Sequence, residues 1–267
     1  MNNSNIEEVN AKDWEDLFNI INDSFCDWPN YIFRGKANSQ WLLESTLSRA
    51  LKRIKYKHKN ELVKEHLERF KLQIRGRRGP NPKQLSENEL WALGQHFGLY
   101  TPLLDWTQSP YVALFFALTS LDKSPTGLRT LWALNSPDID KITKWHKQKK
   151  PKSSKWYVEL IDPILDENSR LVNQNGIFTK ISIENNIENW VSSGPNLGWV
   201  SLFRIDFPDS VRNKAIAYLD LMNINYASLF PDLYGSSMNT NIKLEQKDYI
   251  VKKQLDTWEK FSKMDGK

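Results

Sequence analysis

The segment Tyr31-Ile32-Phe33-Arg34-Gly35 places three strand-favouring residues directly before an arginine and a glycine. A buried guanidinium needs a carboxylate, a phosphate or a set of carbonyl oxygens to face. A glycine at this point lets backbone or a ligand approach closely. Two interpretations of Arg34 follow. It binds an anion in a pocket formed by the rest of the chain, or it forms an ordinary salt bridge at the end of a strand.

The composition predicts an ordered chain with a small excess of positive charge. Of the 267 residues, 40% are hydrophobic, and eleven tryptophans extend from Trp14 to Trp258. This spread predicts a core over most of the length. The net charge of +5 is compatible with a nucleic-acid or phosphate partner. Cys26 is the single cysteine, so an intrachain disulfide is impossible.

The sequence carries no signal for secretion or membrane insertion. Its N-terminus is polar and acidic, unlike a signal peptide. The longest apolar run, near residues 111–118, is too short to cross a bilayer. We therefore predict a cytoplasmic protein with no membrane contact.

Helical patterns are predicted at both ends of the chain. Residues 1–29 are expected to form an N-terminal helical flank, and 241–267 a C-terminal helix with one charged side. The apolar stripe of the first helix consists of Trp14, Leu17, Phe18 and Ile21. No internal repeat or long linker interrupts residues 30–240, which we expect to form one domain.

A helix with clear ends is predicted before residue 98. Ser86 and Glu89 match a capping box, and Gly98 matches a C-terminal stop. His96 falls in the last turn, where the helix dipole favours the protonated imidazole. It is either a structural histidine or a functional one.

The next helix provides a second candidate ligand wall. Residues 111–121 are apolar nearly all round, which predicts a buried helix, and Ser109 is its expected N-cap. Unpaired N–H groups at a helix N-terminus can bind a phosphate. The turn from Asp105 to Ser109 is therefore a candidate site. Alternatively, Asp105 and Thr107 only cap the helix.

A third candidate wall lies further along the chain. Asn175-Gly176 between two strand-like runs predicts a β-hairpin. Gln174 would then lie at the mouth of the hairpin, exposed to whatever lies beyond the strand ends. Asp166 and Glu167 precede it in a loop.

Two basic stretches either form solvated surface or contact nucleic acid. The first comprises Lys52, Arg53, Lys55, Lys57, His58 and Lys59. The second comprises Lys144, His146, Lys147, Lys149, Lys150, Lys152 and Lys155.

Several chemistries lose support from the sequence. The histidines and the cysteine show no metal-ligand spacing. The chain also lacks a P-loop, a dinucleotide-binding glycine motif and a hydrolase nucleophile elbow. The polar residues that remain at strand and helix ends are Arg34, His96, Asp105, Thr107 and Gln174.

Four motifs in order resemble the FRG-domain family. They are YIFRG at 31–35, QHFGLYTPLLDWTQSPYVALFFA at 95–117, RLVNQNGIFT at 170–179 and LFPDL at 229–233. The resemblance covers roughly residues 30–240. Pro102 stands where that family usually has an arginine, so a contact through that arginine is not expected here.

The motif order also resembles, more distantly, the ADP-ribosyltransferase fold. The resemblance implies an α+β fold with a mixed, mostly antiparallel split sheet and flanking helices. In that fold an arginine on the first strand holds NAD, a Ser/Thr strand buttresses the nicotinamide site, and a later strand supplies a glutamate. Arg34 would occupy the first role, and Asp105-Trp106-Thr107 the second.

Gln174 would lie near the third motif of that fold. Two residues further on stands Gly176, where the resemblance calls for a glutamate that stabilises the developing ribosyl cation. Glu167 or Asp105 could supply that charge instead.

The resemblance implies an enzyme that uses NAD as a substrate to modify a macromolecule, with RNA or DNA as candidate acceptors. Such an enzyme would suit a bacterial toxin in a toxin–antitoxin or phage-defence locus, with a cognate antitoxin as a further partner. Arg34 would clamp the diphosphate, His96 and Thr107 would position the nicotinamide ribose, and Gln174 would hold the acceptor or a ribose. The implied catalytic residues are Arg34, His96 and Gln174, and the implied NAD contacts are Arg34, Gly35, Asp105, Thr107 and Ser109.

Two alternatives stay open at the level of sequence. The missing glutamate favours a non-catalytic nucleotide-binding or nucleic-acid-binding module. Another transferase or hydrolase could also act on a phosphorylated ligand through His96.

Overall fold

The computed structural model describes residues 5–120, 124–162 and 169–264, which form an α+β fold around one seven-stranded sheet. The strands are β1 (Ile6–Asn10), β2 (Tyr31–Lys36), β3 (Leu103–Thr107), β4 (Leu128–Asn135), β5 (Val158–Ile161), β6 (Gly176–Ile181) and β7 (Leu202–Pro208). Their order across the sheet is β1-β7-β4-β2-β3-β6-β5. β1 and β7 are parallel and the other neighbours are antiparallel, so the expected mixed, mostly antiparallel sheet is confirmed.

The sheet is nearly divided between β2 and β3. Among the described residues these strands pair only at Phe33 and Thr107. By contrast, β2 pairs with β4 along its whole length, from Tyr31 to Lys36. The strands therefore diverge beyond Phe33, and Arg34 lies at the start of the resulting opening.

Helices flank the sheet. They are α1 (Trp14–Phe25), α2 (Thr46–Lys52), α3 (Lys59–Gln73), α4 (Glu87–His96), α5 (Pro110–Leu118), α6 (Pro137–Lys149), α7 (Ser169–Asn173), α8 (Ile187–Ser192), α9 (Arg212–Leu221), α10 (Tyr226–Leu229), α11 (Leu233–Glu245) and α12 (Lys247–Met264). Within the described residues, no helix has both the length and the apolar content needed to cross a bilayer.

Helix α5 is the buried helix predicted from its apolar sequence, and Leu114, Ala117 and Leu118 are fully buried. It lies so close to β2 that a Cβ atom on Gly35 would stand 1.9 Å from the carbonyl oxygen of Ala113. The glycine of the YIFRG motif is therefore needed for contact between strand and helix backbones. The sequence left open whether backbone or a ligand approaches there, and the structure shows backbone.

Local capping signals are confirmed at α4 and α5. The Ser86 hydroxyl accepts a hydrogen bond from the Glu89 N–H, and the Glu89 carboxylate accepts one from the Ser86 N–H. Gly98 follows α4 with a positive φ of 86°. The Ser109 hydroxyl accepts a hydrogen bond from the Val112 N–H at 3.3 Å and caps α5.

The predicted hairpin at Asn175-Gly176 is wrong. Residues 169–173 form α7, and β6 begins only at Gly176. Asn175 has a left-handed φ of 48° and its N–H donates to the Val172 carbonyl, so the pair ends a short helix instead of turning between strands. Asp166 and Glu167 lie outside the described residues.

The two ends of the chain also differ from expectation. Residues 1–29 were expected to be helical, but they contribute the edge strand β1 as well as α1. Trp14, Leu17 and Ile21 of α1 are buried as predicted. At the other end, the expected C-terminal helix is divided at Gln246 between α11 and α12.

Candidate functional site

Arg34 reaches across the opening between β2 and β3 to Asp105. Its Nη1 atom lies 3.3 Å from Asp105 Oδ2 and also donates a hydrogen bond to the Asp105 backbone carbonyl. The Nε atom is buried and has no hydrogen-bond partner among the residues that the structure describes. The salt-bridge interpretation of Arg34 is thus present in the structure. The pair is not sealed in the core, because the side chains are 21% and 61% exposed.

The Asp105 carboxylate is held by one contact on each oxygen. Gln95 Nε2 on α4 donates to Oδ1 at 2.7 Å, while Arg34 faces Oδ2. The Thr101 hydroxyl donates to the Gln95 side-chain oxygen and so fixes the amide. Asp105 therefore does not cap α5, and its carboxylate is oriented by α4 and β2.

Asp105 lines a small pocket of about 160 Å³, which we call the Asp105 pocket. It brings together side chains from α4, β3, α7 and β6, and from the segment after α10. Its polar lining consists of Gln95, His96, Asp105, Arg170 and Gln174, and its apolar lining includes Trp106, Phe178 and Phe230. The opening in the sheet is therefore also the place where the described parts of all four sequence motifs meet.

The far wall of the pocket is built on Arg170. Its Nε atom donates to Asp232 Oδ2 at 2.9 Å, and its guanidinium carbon lies 5.2 Å from the Phe230 ring centre and 5.7 Å from that of Tyr234. Asp232 also caps α11, and hydrogen bonds from the Gly235 N–H and from Arg170 lower its pKa. Arg170 belongs to the third sequence motif and Asp232 to the fourth, but no local pattern in the sequence indicated that they form an ion pair.

His96 lies in the Asp105 pocket, and its surroundings act against the protonated form that the helix dipole favours. Burial first, and then the nearby charge of Arg170, lower the pKa of His96 below its ordinary value of 6.5, although Asp232 acts in the opposite direction. The lowered pKa favours the neutral imidazole, which can accept a proton.

Gln174 lines the Asp105 pocket, whereas Thr107 and Ser109, which were also predicted at the site, form hydrogen bonds within the fold. Its side-chain amide donates to the Leu229 carbonyl at 3.2 Å, and its backbone carbonyl accepts from the Thr107 hydroxyl at 2.7 Å. Thr107 is only 4% exposed, and its hydroxyl also accepts from the Ser109 N–H. Thr107 and Ser109 thus tie β3 to the segments beside it, and neither lines the pocket formed by the described residues.

A second and larger cavity lies on the other side of Arg34. This basic groove, about 650 Å³, is lined by Arg34, Gly35 and Lys36 of β2, by the loop that follows, and by α2 and the end of α5. Its charged and aromatic lining consists of Arg34, Lys36, Trp41, Glu44, Arg49, Arg53 and Phe116. The Arg34–Asp105 pair is therefore the boundary between a small pocket and a cationic groove.

Lys36 is the most deeply buried cation of the basic groove, at 5% exposure. Its Nζ atom donates to the Leu42 carbonyl at 2.7 Å. Burial, reinforced by the charges of Arg34 and Arg49, lowers the pKa of Lys36 to about 7.

No cluster of His, Cys, Asp and Glu suited to a metal ion occurs in the described part of the chain.

Comparison with protein families supports the resemblance seen in the motifs. Residues 29–125 match the family model of the FRG domain. The match contains the first two motifs, with Arg34, Gln95, His96 and Asp105. The third and fourth motifs lie beyond its end. The expected resemblance to the FRG family is thus confirmed for the segment that holds one half of the Asp105 pocket.

The other two comparisons gave no relatives to report. No curated protein matched the chain, and no solved structure matched it.

Proposed function

We propose that the chain binds NAD across the Arg34–Asp105 pair and transfers ADP-ribose to a macromolecule. The observation that carries this proposal is the position of the pair. It stands where the sheet opens, with a pocket for one small ring on one side and a cationic groove on the other. A dinucleotide has this division of chemistry, with a neutral or cationic ring at one end and a diphosphate in the middle.

The order of strands supports an ADP-ribosyltransferase-like arrangement. That resemblance implies an arginine strand, a Ser/Thr strand that leads into a helix, and a later strand with the third motif. Here β2 carries Arg34, β3 carries Thr107 and leads into α5, and β6 follows Gln174. The three strands are neighbours in the sheet in that order.

The sizes and charges of the two cavities suggest how NAD would lie. The Asp105 pocket, at about 160 Å³, suits the nicotinamide ring and not a whole dinucleotide. The diphosphate would face Arg34, whose planar guanidinium can form paired hydrogen bonds to phosphate oxygens. Exchanging the Asp105 contact for a phosphate contact would also leave the carboxylate free to face the ribose.

The transfer requires the bond between nicotinamide and ribose C1′ to break, with the electron pair leaving on nicotinamide. The cation left on the ribose is stabilised by a carboxylate held nearby. Asp105 is the candidate for this role, because Gln95 orients it and Gly176 offers no side chain. The acceptor nucleophile then bonds to C1′ and releases a proton, which the neutral His96 can accept.

The test follows the label of adenine-labelled NAD incubated with the purified protein and a cell extract. We expect label on a macromolecule, and digestion with nuclease or protease identifies its class. Asp105→Asn keeps the size of the side chain and removes the charge, so we expect transfer to fall by roughly a hundredfold or more. Asp140→Asn, an exposed carboxylate on α6, is the matched control. A folded wild-type protein that consumes no NAD, even with extract, would contradict the proposal.

A non-catalytic nucleotide-binding module is the second candidate. It is favoured by Gly176 in place of a glutamate and by the engagement of both Asp105 oxygens by Arg34 and Gln95. This candidate predicts that NAD or another nucleotide binds without being consumed. The same labelling experiment, combined with a binding measurement, separates the two.

A further inference from the structure

The basic groove collects more positive charge than its described neighbours compensate. Arg49 and Arg53 stand four residues apart and line the groove from α2 and its C-cap. Arg34 and Lys36 project into it from β2. Four cations thus converge from two separate elements on one cavity.

Arg34 is paired with Asp105, whereas the other three cations have no carboxylate partner among the described residues. Among the described residues, none forms an ion pair with Lys36, Arg49 or Arg53, and Arg49 instead donates to the backbone carbonyl of Glu44 at 2.9 Å. The Glu44 carboxylate, the one acidic group in the described lining, is paired with Lys52. Burial first, and then the charges of Arg34 and Arg53, lower the pKa of Arg49 against the opposite effect of Glu44. An anion in the groove would relieve this repulsion.

The groove is larger than one phosphate requires and includes an aromatic surface. Its volume is about 650 Å³, and Trp41 on its rim is 54% exposed. An exposed indole beside arginines is the chemistry on which unpaired bases stack while phosphates are neutralised. Beyond Arg53, exposed Lys55 and Lys57 continue the positive charge along the chain. This arrangement fits a strand with several phosphates better than a single mononucleotide.

We infer that the basic groove binds single-stranded nucleic acid, with phosphates against Arg34, Arg49 and Arg53 and a base stacked on Trp41. The inference rests on the proposed function only in making this strand the acceptor of ADP-ribose. Binding itself requires no NAD. The strand would enter the molecule beside the Arg34–Asp105 pair, close to the site of transfer.

The experiment measures fluorescence anisotropy of labelled twelve-nucleotide single-stranded RNA and DNA with the full chain and without NAD, over a series of salt concentrations. The Arg49→Glu/Arg53→Glu double variant is expected to weaken binding at least roughly tenfold and to flatten the salt dependence by about two phosphate contacts. Trp41→Ala is expected to weaken binding about fivefold or more. The control, Lys147→Glu/Lys152→Glu, reverses as many charges in the second basic stretch and is expected to leave binding within about twofold.

Three results would overturn the inference. They are unchanged binding by the double variant, equal loss in the control, and competition by free ADP as strong as by unlabelled oligonucleotide. The last would identify a mononucleotide site. Circular dichroism checks each fold, and Arg53→Gln replaces the double variant if that unfolds. Binding of single-stranded nucleic acid without NAD consumption would contradict the proposed function and leave this inference standing. NAD consumption without binding of nucleic acid would contradict this inference and leave the proposed function standing.

Discussion

At the scale of the residue, the Arg34–Asp105 ion pair contributes little to the stability of the fold. A pair with 21% and 61% exposed side chains contributes about 1 kcal/mol or less, because water screens it and long side chains lose freedom. Two fixed contacts on the Asp105 carboxylate nevertheless set its direction. On the proposed function, the pair holds both charges at the opening of the sheet, where the diphosphate of NAD would replace Asp105 as the partner of Arg34.

Lys36 gives a prediction for pH dependence. Its pKa is lowered from 10.5 to about 7 by burial, then by Arg34 and Arg49, against weaker opposing effects of Glu188 and Glu44. Between these two values the unfolded chain holds more protons than the folded one, so stability rises with pH across that window. In urea unfolding at several pH values, wild type is expected to gain stability above pH 7 relative to Lys36→Met.

The control for this prediction is Lys144→Met, which removes an exposed lysine of α6. It is expected to follow the wild-type pH dependence. Stability curves for wild type and Lys36→Met that stay parallel from pH 6 to pH 9.5 would show that Lys36 binds its proton equally well in both states. That result would contradict the burial of the Lys36 ammonium group in the groove.

At the scale of the element, the contact between β2 and α5 positions the site. A methyl group on Gly35 would collide with the backbone of α5 at Ala113 and Ala117, which no rotamer change relieves. Gly35→Ala is therefore expected to cost about 3 kcal/mol, the upper end of overpacking costs, as measured by urea unfolding. It should also weaken ligand binding, because Arg34 precedes the displaced residue.

Gly194→Ala is the matched control for the strand–helix contact. Its added methyl would meet the Ile142 side chain at 3.0 Å and the Val191 carbonyl oxygen at 3.1 Å, contacts much less severe than the 1.9 Å contact at Gly35, and its expected cost is about 1 kcal/mol. Equal stability of Gly35→Ala and wild type would mean that β2 and α5 are further apart than described.

Element signals explain which local predictions were confirmed. The capping box at Ser86 and Glu89 and the N-cap at Ser109 are confirmed, because each depends on hydrogen bonds within one turn. The Asn175-Gly176 hairpin is wrong because the same residue pair also ends helices. The segment before the pair is the helix α7 and not a strand. The side chains of Asn173 and Gln174 stabilise the end of that helix by donating hydrogen bonds to the carbonyls of Ser228 and Leu229, which lie 55 residues further along the chain.

At the scale of the whole molecule, the sequence predicted many of the residues at the site, but not the long-range contacts that bring them together. Arg34, His96, Asp105 and Gln174 do meet at one opening. Thr107 and Ser109 form hydrogen bonds within the fold, and Gly35 packs against α5 while also lining the basic groove. The ion pair of Arg170 with Asp232 joins residues 62 positions apart, and β1 joins β7 across most of the chain. Such pairings depend on tertiary structure, which leaves no periodic pattern in the sequence.

The same limit applies to the basic groove. Its first stretch of lysines and arginines was visible in the sequence, but solvated surface is the usual interpretation of such a run. The structure separates its members, because Arg53 lines the groove with Arg49, while Lys52 pairs with Glu44. Lys36, the most buried cation of the groove, was not marked by any charge pattern.

The central claim is that the Arg34–Asp105 pair divides one NAD site, and the most direct measurement is calorimetric titration of NAD into the purified protein. We expect wild type to bind NAD and Arg34→Ala to bind at least roughly tenfold more weakly, since a charged hydrogen-bond donor to phosphate is lost. Arg69→Ala, which removes an exposed arginine of α3, is expected to match wild type. A folded wild-type protein that does not bind NAD, or an Arg34→Ala variant that binds it equally well, would contradict the claim.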